Sequence, residues 1–572
     1  MKKIKSLICI ALVGLSVSSC KDFLTLMPLN DIVLENFWTN KSDVESVLLG
    51  AYSAMEKSDC VIRMSIWGEM RSDNIVAGRN PSDDILQITK DNILETNSYN
   101  NYRCFYDVIN RANTVLHFAP IVAEEDPNYT GADLLANKAE AIALRSLAYW
   151  YLIRAYKDVP YTTIPSIDDT HDFFIGQTPF EEVLDSLIND LESVKKYAVN
   201  RYTMESANTG RFTRAAICAM LADMYLWKGD YDKCIENCDW VIDRKQLEYE
   251  ELLEKEGNDC TVELFGDDPD YYPLYTELFT TQNAGKMQGH SYNENFGSGN
   301  SFEVLFELPF DDQVSNSFVS SYYNGQNMDG GSLFANPQIG LGFEGRGNAC
   351  FPQEYDTRYY HSLRRNASDG SADYGIVKYA YESMQFNLLN GTVSQFSGTA
   401  RRNTQANWII YRYSDVLLMK AEALVQQSIA LGVGDTLNAA KKELLNKAFT
   451  LVYAVNQRAI GRNQSRAFKR SDYTVSDDKM ETLVLEERRR ELMFEGKRWF
   501  DLVRMARRDG NTKRLISLVI GKYDKSTVSA VRIKLTDMNA LYFPLSKDEI
   551  KINNKLKQNP VYIEDEYIQK AK

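Results

Sequence analysis

The stretch that decides the fold is AEAIALRSLAYWYLIRAYKDVP, residues Ala139–Pro160. Apolar side chains recur at helical spacing on two sides of this segment, with Ile142 and Trp150 on one of them. A helix that is apolar on nearly all sides has to be covered by neighbouring helices. Arg145 and Arg154 interrupt the apolar run and argue against a membrane span, which needs roughly 20 mostly apolar residues. The stretch therefore predicts the buried central helix of an all-α dominated protein.

The chain of 572 residues is long enough for several domains or for one large body built from repeats. Apolar residues make up 44% of it, and the net charge of −14 is spread along the chain. This acidic balance argues against nucleic acid as a partner and predicts a solvated acidic surface. The chain also contains 34 tyrosines, whose rings either pack between helices or lie half exposed where they can stack on sugars.

The N-terminus predicts where the protein is sent. Three lysines within the first five residues precede the apolar run Leu7–Val17, and two serines then lead to Cys20. This order is typical of a signal peptide, and the sequence VSSC that ends at Cys20 resembles the bacterial lipobox. We expect residues 1–19 to be removed and Cys20 to carry a diacylglycerol anchor. An ordinary secretory signal with a chance cysteine is the alternative.

Seven cysteines remain when Cys9, inside the signal, and Cys20 are set aside. Their number is odd and they form no CxxC pair, so they do not predict a disulfide framework. Cys234 and Cys238 are one helical turn apart, as some metal ligands are, but no histidine lies near them in the sequence. We expect both to be buried and to pack as small hydrophobic side chains.

Helix signals recur on both sides of the central helix. Residues 42–45 form a capping-box pattern, and residues 178–181 combine an N-cap with proline at the first helical position. Within residues 213–243, a turn at Gly229 joins two amphipathic helices as in a tetratricopeptide unit, although an ordinary helical hairpin has the same pattern. The signals predict helices at 43–55, 181–198, 413–427, 437–460 and 477–507. Together they predict a helical-repeat scaffold.

Residues 258–403 have a different composition. Gly, Asn, Asp, Ser, Tyr and Phe replace Ala and Leu, and only short strand-like runs occur, at 302–308 and 376–379. We interpret this region as a loop-rich insertion, and long loops on a rigid scaffold commonly carry binding sites. A flexible excursion without function is the alternative. The predicted divisions are 1–19 (signal), 20–257 (N-terminal scaffold), 258–403 (insertion) and 404–572 (C-terminal scaffold).

The most specific signature is LEERRRELMFEGKRWFDLVRM, residues Leu485–Met505. Glu486 can pair with arginines one helical turn later, while Leu492 and Trp499 belong to an apolar seam. Read alone, the charge run predicts a solvated helix face. Gly496 in the middle of a helix costs about 1 kcal/mol relative to alanine, so we expect another element to pack closely against it.

This signature resembles the hallmark of the SusD/RagB family of surface nutrient-binding lipoproteins. Other blocks occur in the family's order: Asp22–Leu24, Glu35–Trp38, Gly50–Tyr52, Arg145–Pro160, Arg412–Leu418, Asn456–Ala459, Phe543–Leu545 and Gln558–Pro560. One departure is Val561, where the family commonly has glycine before Tyr562. The resemblance extends from Cys20 to Tyr562, and it is highly specific for the family but weakly specific for the ligand.

The resemblance implies a lipid-anchored protein on the outer face of the outer membrane. Such proteins are lids over a TonB-dependent transporter of SusC type, and they hold oligosaccharides, or in some members peptides, for import. The implied fold is a tetratricopeptide-like helical scaffold whose irregular insertion carries much of the binding site. Surface-export signals in this group favour several acidic residues after the lipid cysteine, and Lys21-Asp22 supplies one.

A surface glycoside hydrolase is the less favoured alternative. Glycosidases need two carboxylates at a set separation, and 79 acidic residues neither exclude nor locate such a pair. Residues 340–345 match GxGxxG but lack the preceding strand and following helix of a nucleotide site. Asp267, Asp268 and Asp270 offer oxygens to Ca²⁺, although an exposed acidic turn is the favoured interpretation. We expect a non-catalytic protein without a cofactor.

Binding a sugar without catalysis requires aromatic faces for pyranose rings and planar polar groups for paired hydroxyls. Two regions provide this mixture. The first contributes Trp67, Arg71, Asp73, Asn74, Tyr99 and Tyr102. The second, in the insertion, contributes Tyr271, Tyr272, Tyr292, Phe296, Tyr322 and Tyr323. A buried ion-pair cluster around Arg71, and core packing of the insertion rings, are the alternatives.

Overall fold

The computed structural model describes residues 37–563, apart from 168–173, 278–285, 288–289, 312, 324–330, 340–349, 353–355, 366–372, 390–391, 401–404, 433–437 and 462–466. For residues 286–287, 386–389, 392–397 and 399–400 it describes the backbone alone. The predicted signal, Cys20 and the GxGxxG run at 340–345 lie outside the described residues.

Helices make up most of the described chain. In the N-terminal part they are α1 (Lys41–Met55), α2 (Ser58–Glu69), α3 (Asp83–Thr89), α4 (Arg103–Glu125), α5 (Gly131–Tyr156), α6 (Phe180–Val194), α7 (Ala207–Gly210), α8 (Arg214–Lys228) and α9 (Tyr231–Glu256). They continue as α10 (His290–Tyr292), α11 (Thr357–Ser362), α12 (Tyr413–Ala430), α13 (Ala439–Ala459), α14 (Arg470–Tyr473), α15 (Asp477–Leu492), α16 (Arg498–Asp509), α17 (Lys513–Val519), α18 (Val528–Lys534) and α19 (Lys547–Ile552). Within the described residues, no helix combines the length and the apolar character that crossing a membrane requires.

The central helix α5 is buried as the sequence predicts. It begins at Gly131 rather than Ala139, because Thr130 and Asp133 form a capping box at its N-terminus. Arg145 is accommodated in the core by Asn113, 2.9 Å away, and by an ion pair of 2.7 Å with Asp190. Helix α5 packs between α4 and α6, so both of its apolar faces are covered.

Helical hairpins stack along the scaffold. Between α8 and α9 the chain turns at Gly229, which has a left-handed φ of 82°, and Asp230 then caps α9 by accepting a hydrogen bond from the Lys233 amide at 3.1 Å. Helix α9 packs on α12, and α12 forms the next hairpin with α13. The tetratricopeptide-like scaffold predicted from the sequence is confirmed.

Two helix starts differ from the sequence prediction. Helix α1 is capped by Asn40 with Asp43, not by Ser42 with Glu45, so it begins at Lys41. At α6 the predicted cap at Thr178 does not form, and the Phe180 amide donates instead to Asp158, 3.0 Å away. In both cases the amides at the helix N-terminus donate to a different side-chain acceptor from the one that the local sequence pattern favours.

The single helix predicted at 477–507 is wrong. The chain breaks between α15 and α16, where Phe494 and Gly496 have left-handed φ values of 65° and 71°. The close packing expected at Gly496 is present, because a Cβ added at Gly68 of α2 would lie 1.8 Å from the Gly496 carbonyl oxygen. The break thus lies directly against α2, which approaches it from a distant part of the chain.

Short strands lie mostly between residues 262 and 412. They are β1 (Ile75–Ala77), β2 (Val159–Pro160), β3 (Gln177–Thr178), β4 (Val262–Asp267), β5 (Asp270–Tyr275), β6 (Lys286–Met287), β7 (Val304–Leu308), β8 (Leu333–Ala335), β9 (Leu363–Arg365), β10 (Tyr374–Ile376), β11 (Tyr381–Leu389), β12 (Thr392–Ala400) and β13 (Trp408–Arg412). The largest described sheet has the order β1-β8-β10-β9. Because β8 pairs antiparallel with β1, with Ile75 opposite Ala335, the insertion is joined to the N-terminal scaffold.

A buried charge network joins the insertion to α15. It consists of Glu491, Glu495, Arg358, Lys378, Arg412 and Arg458, all nearly without exposed surface. Arg412 binds Glu491 at 2.6 Å and Glu495 at 2.9 Å, and Lys378 binds Glu495 at 2.6 Å. The charge run of the signature is therefore not a solvated face. Its acids lie buried against cations from the insertion and the neighbouring helices.

Candidate functional site

Tyr99 and Tyr322, which belong to the two regions predicted to bind ligand, meet at the surface. Their hydroxyl oxygens are 2.6 Å apart and share a hydrogen bond, and both rings are half-buried. Burial first, and then the hydrogen bond with Tyr99, raises the pKa of Tyr322 above its ordinary value, so its hydroxyl stays protonated. The pair offers two neutral hydroxyl groups and two partly exposed rings.

Aromatic packing from below fixes both rings. Phe318 stacks on Tyr322 with centroids 4.9 Å apart and an angle of 18° between the planes. Trp67, which is fully buried, donates its indole N–H to the Tyr99 carbonyl oxygen at 3.1 Å. Tyr323 is also buried and donates its hydroxyl to the Phe494 carbonyl oxygen at 3.0 Å. Trp67 and Tyr323 thus support the surface rings and expose no face of their own.

Arg63 organises the polar groups beside the tyrosines. Its guanidinium donates to the carbonyl oxygens of Asp59 at 3.0 Å and Ser98 at 3.1 Å, and also to that of Asn101. The side chains of Asp59 and Asn101 remain exposed. We call Asp59, Tyr99, Asn101 and Tyr322 the tyrosine patch.

The patch has the chemistry that a polyhydroxylated ligand requires. Half-exposed rings can cover the apolar face of a pyranose, while a carboxylate and an amide can each pair with neighbouring hydroxyls. Asp59, Asn101 and Phe318 were not among the predicted residues. A signal for Phe318 was available, since it stands four residues before Tyr322, although a helical spacing of rings is far more often a sign of core packing.

The five other residues predicted near the first helices are buried: Trp67, Arg71, Asp73, Asn74 and Tyr102. Arg71 donates to Asp91 at 2.8 Å and lies 4.3 Å from the Trp499 ring centroid, and Asp73 pairs with Arg498 at 2.9 Å. The exposed fraction is 2% or less for Trp67, Arg71, Asp73 and Asn74. A ligand-binding role does not fit side chains without accessible surface, and the alternative of a buried ion-pair cluster does.

Charge pairing explains how this cluster tolerates burial. Desolvation would raise the pKa of Asp73, but the guanidinium groups of Arg489 and Arg498 outweigh it and lower that pKa to about 2. The Asn74 amide donates to Glu69 at 2.8 Å. The cluster is thus satisfied internally and serves to fix α16 against residues 69–74.

Most of the predicted insertion rings are buried as well. Tyr272, Tyr292, Phe296 and Tyr323 are between 0% and 7% exposed, and the Tyr292 hydroxyl lies within hydrogen-bond distance of the carbonyl oxygens of Val377 and Tyr381. These four rings fit core packing, not stacking on a ligand. Tyr271 is 45% exposed, but it lies on the β4–β5 hairpin, which packs on α13.

The acidic turn beside Tyr271 was the predicted calcium alternative. The Asp267 carboxylate pairs with Arg470 at 2.8 Å. Among the described residues, no group of three or more His, Cys, Asp and Glu side chains is arranged to hold a metal. Cys234 and Cys238 are both buried in α9, as expected of small packing residues.

A cavity of about 740 Å³ opens between α9 and the segment around Phe302. Several of its charged side chains are paired, since Arg201 binds Glu205 and Glu251 and Lys245 binds Glu248. None of the predicted ligand-binding residues lines it. The tyrosine patch is therefore the place where predicted residues from distant parts of the chain converge.

Two family models match the chain. Residues 275–562 match the model described as SusD family, and residues 22–226 match the model described as starch-binding associating with outer membrane. The chain belongs to the SusD family. Its association with the outer membrane follows from the second match.

Similar SusD-like proteins occur in Formosa agariphila. SusD-like protein P38 is 26% identical over 523 residues, covering 88% of this chain and 92% of that protein. SusD-like protein P2 is 24% identical over 530 residues, covering 88% of this chain and 91% of that protein.

Solved structures share the SusD fold. A SusD superfamily protein from Bacteroides vulgatus superimposes with a TM-score of 0.63 at 17% identity, covering 92% of this chain and all of that one. A SusD homolog from Bacteroides thetaiotaomicron gives a TM-score of 0.60 at 19% identity, with coverages of 92% and 100%. At these identities the likeness establishes the fold alone.

Proposed function

We propose that this SusD-family protein binds oligosaccharides at the tyrosine patch and delivers them, without catalysis, to a SusC-like TonB-dependent transporter. The observation that carries the proposal is the contact between Tyr99 and Tyr322. It brings two half-exposed rings from segments 223 residues apart onto one surface. The starch-binding description of the family model supports a glycan as the ligand class.

The patch is shallow, and this sets its affinity. Ring stacking on an open surface gains little against the ordering of a flexible chain, so we expect affinities of roughly micromolar to millimolar. Several repeats of a polysaccharide can still engage many protein molecules on a cell surface, which compensates for weak individual contacts. Fast release also suits a protein that hands its ligand on.

Turnover is not expected at this site. Glycoside hydrolysis uses a pair of carboxylates on either side of the scissile bond. Among the described residues of the tyrosine patch, Asp59 supplies the single carboxylate. The hydrolase alternative would gain support if the purified protein released new reducing ends and lost this activity when one carboxylate was changed.

The test is a binding screen of the purified protein against plant and host polysaccharides and against peptides. We expect retardation in native gels that contain the cognate polysaccharide. Tyr99→Ala and Tyr322→Ala should abolish that retardation, whereas Tyr197→Ala, which removes a ring 39% exposed elsewhere, should not. Binding to peptides alone would favour the peptide-binding alternative within the family.

The anchor and the partner are part of the same proposal. We infer that Cys20 is lipidated and that the protein faces the cell exterior. Cys20→Ala should release it from the membrane fraction and abolish labelling by a fatty-acid probe. A mild-detergent pull-down of the tagged protein should recover a large outer-membrane β-barrel in near-stoichiometric amount. Recovery of the protein alone in several detergents would count against the transporter partner.

A further inference from the structure

One face of the molecule combines exposed aliphatic side chains with lysines. It is formed by α18, by residues 547–557 and by two loops that lie against them, residues 91–95 and 174–177; we call it the C-terminal face. The loop 91–95 is held by Lys534, which donates to the Asp91 carbonyl oxygen at 2.7 Å, and by the Lys547 amide, which donates to that of Glu95 at 3.1 Å.

The second loop is attached in the same way. Asn553 donates its amide to the Ile175 carbonyl oxygen at 2.9 Å, and the Lys557 amide donates to the Gln177 side chain at 2.8 Å. Gln558 follows Lys557 in the chain and donates its side-chain amide to the Glu95 carboxylate at 2.9 Å. The segment that holds the second loop is thereby connected to the first loop. Four elements from distant parts of the chain thus form one continuous surface.

Each of these elements exposes a large apolar side chain. Ile533 is 68% exposed, Ile552 67%, Leu94 49% and Phe174 46%. Single exposed aliphatic residues are ordinary on protein surfaces, whereas their concentration on one face is typical of an interaction site.

The charge of this face is opposite to that of the whole protein. Helix α18 and residues 547–557 contain six lysines and arginines against two acidic residues, and the loops add two acids, Asp91 and Glu95, in a chain whose net charge is −14. Arg532, Lys551, Lys555 and Lys557 are exposed beside the apolar side chains, and Asp548 is the acid that pairs with Lys551, at 3.2 Å. A cavity of about 890 Å³ beside them is also lined by Lys157, Lys555 and Lys557.

We propose that the C-terminal face docks on the phosphate-bearing lipid surface of the membrane with which the protein associates. Basic residues neutralise lipid phosphates, while isolated aliphatic side chains enter the boundary between headgroups and acyl chains. The Asn100 amide donates to the Leu94 carbonyl oxygen at 2.8 Å, so this face borders the tyrosine patch. Docking would therefore hold the patch close to the membrane plane.

The test is co-flotation of the chain from Lys21 onward, without its lipid, with vesicles of phosphatidylcholine alone or mixed equally with phosphatidylglycerol. We expect binding to the anionic vesicles in about 0.1 M salt and its loss in about 1 M salt, where the Debye length falls from about 10 Å to about 3 Å. The double variants Ile533→Ser with Ile552→Ser, and Lys551→Glu with Lys555→Glu, should each bind about tenfold more weakly.

Two matched controls remove equivalent groups elsewhere. Met204→Ser changes a side chain 69% exposed, and Lys442→Glu with Lys447→Glu reverses two exposed charges on α13; both should bind as the unchanged protein does. The proposal is overturned if the unchanged protein ignores anionic vesicles. It is also overturned if the isoleucine variant binds the anionic vesicles normally, or if the control variants lose as much vesicle binding as the two double variants do. Gels that contain the cognate polysaccharide should retard the same variants as they retard the unchanged protein. Failure of the membrane proposal can therefore be distinguished from failure of the proposed function.

Discussion

The tyrosine patch and the buried charge network both join the insertion to the helical scaffold, but they do so through different interactions. The patch uses a hydrogen bond between hydroxyls at the surface, and the network uses buried ion pairs. At the patch, two neutral hydroxyls share one hydrogen bond and the rings remain half in solvent. In the network, Glu491 and Glu495 are buried among cations. The network holds the insertion in place, whereas the patch leaves rings and hydroxyls accessible to the proposed ligand.

Removal of Glu491 should have the largest effect on stability. Glu491→Ala leaves Arg358, Arg412 and Arg458 buried with fewer carboxylate partners, which we expect to cost about 3–5 kcal/mol of unfolding free energy. Urea or thermal unfolding measures this loss of stability. Glu443→Ala, which removes an exposed partner of Lys447, is the control and should leave the midpoint nearly unchanged. Equal midpoints for both variants would contradict the structural role of the network.

Glu277 lies beside the network and gives a pH test. Burial raises its pKa from 4.5 to about 7, and the Ser291 hydroxyl opposes this only partly. Because the folded pKa exceeds the unfolded one, its contribution to stability is complete below pH 4.5 and is lost as the pH rises through 7. At about 1.4 kcal/mol per pKa unit, the loss is about 3 kcal/mol.

Glu277→Gln should therefore be at least as stable as the unchanged protein at pH 8 and gain nothing at pH 5. Urea unfolding at the two pH values measures the difference. The comparison variant is Glu443→Gln, because the hydrogen bond to Lys447 lowers the Glu443 pKa and removes its titration from this window. A stability difference for Glu277→Gln that does not change between pH 5 and pH 8 would be the contrary result.

The close approach of α2 to the α15–α16 break should be sensitive to a single methyl group. Gly68→Ala places a Cβ 1.8 Å from the Gly496 carbonyl oxygen, so the backbone must shift at a cost of about 1–3 kcal/mol. Gly131→Ala at the start of α5 meets nothing within 4 Å and should be neutral or slightly stabilising. If Gly68→Ala unfolds with an unchanged midpoint, the break has another cause.

The sequence reveals the scaffold better than the site. Apolar periodicity is a local property, so it locates α5, and Gly229 marks the turn between α8 and α9 for the same reason. The break at Gly496 packs against Gly68, more than 400 residues away in the chain, and no local pattern contains this contact.

Site residues were harder to predict because residue type does not determine exposure. Tyr322 and Tyr323 are adjacent, yet the first lies at the surface against Tyr99 and the second is 1% exposed and bonded to Phe494. Trp67 and Arg71 have the composition of a sugar site but lie in the core. Whether such a side chain is exposed or buried depends on which distant elements pack against it, and the local sequence does not contain this information.

Tyr271 should give the smallest effect. It is 45% exposed on the β4–β5 hairpin, away from the patch contacts, so Tyr271→Ala should change the unfolding free energy by less than about 0.5 kcal/mol. Gel retardation by the cognate polysaccharide should be unaffected. Loss of retardation with an unchanged midpoint would instead return Tyr271 to the site and extend it beyond the patch.

Calorimetric titration with the oligosaccharide identified in the screen measures directly whether the tyrosine patch binds it. Tyr99→Ala and Tyr322→Ala should each weaken binding by about tenfold or more, since loss of one central ring in a binding surface commonly costs 1–2 kcal/mol or more, while both variants stay folded at the measuring temperature. Tyr292→Ala, which removes a fully buried ring, should lower the melting temperature with no specific loss of affinity in its folded fraction. Unchanged affinity in both patch variants, with the unchanged protein binding normally, would contradict the account.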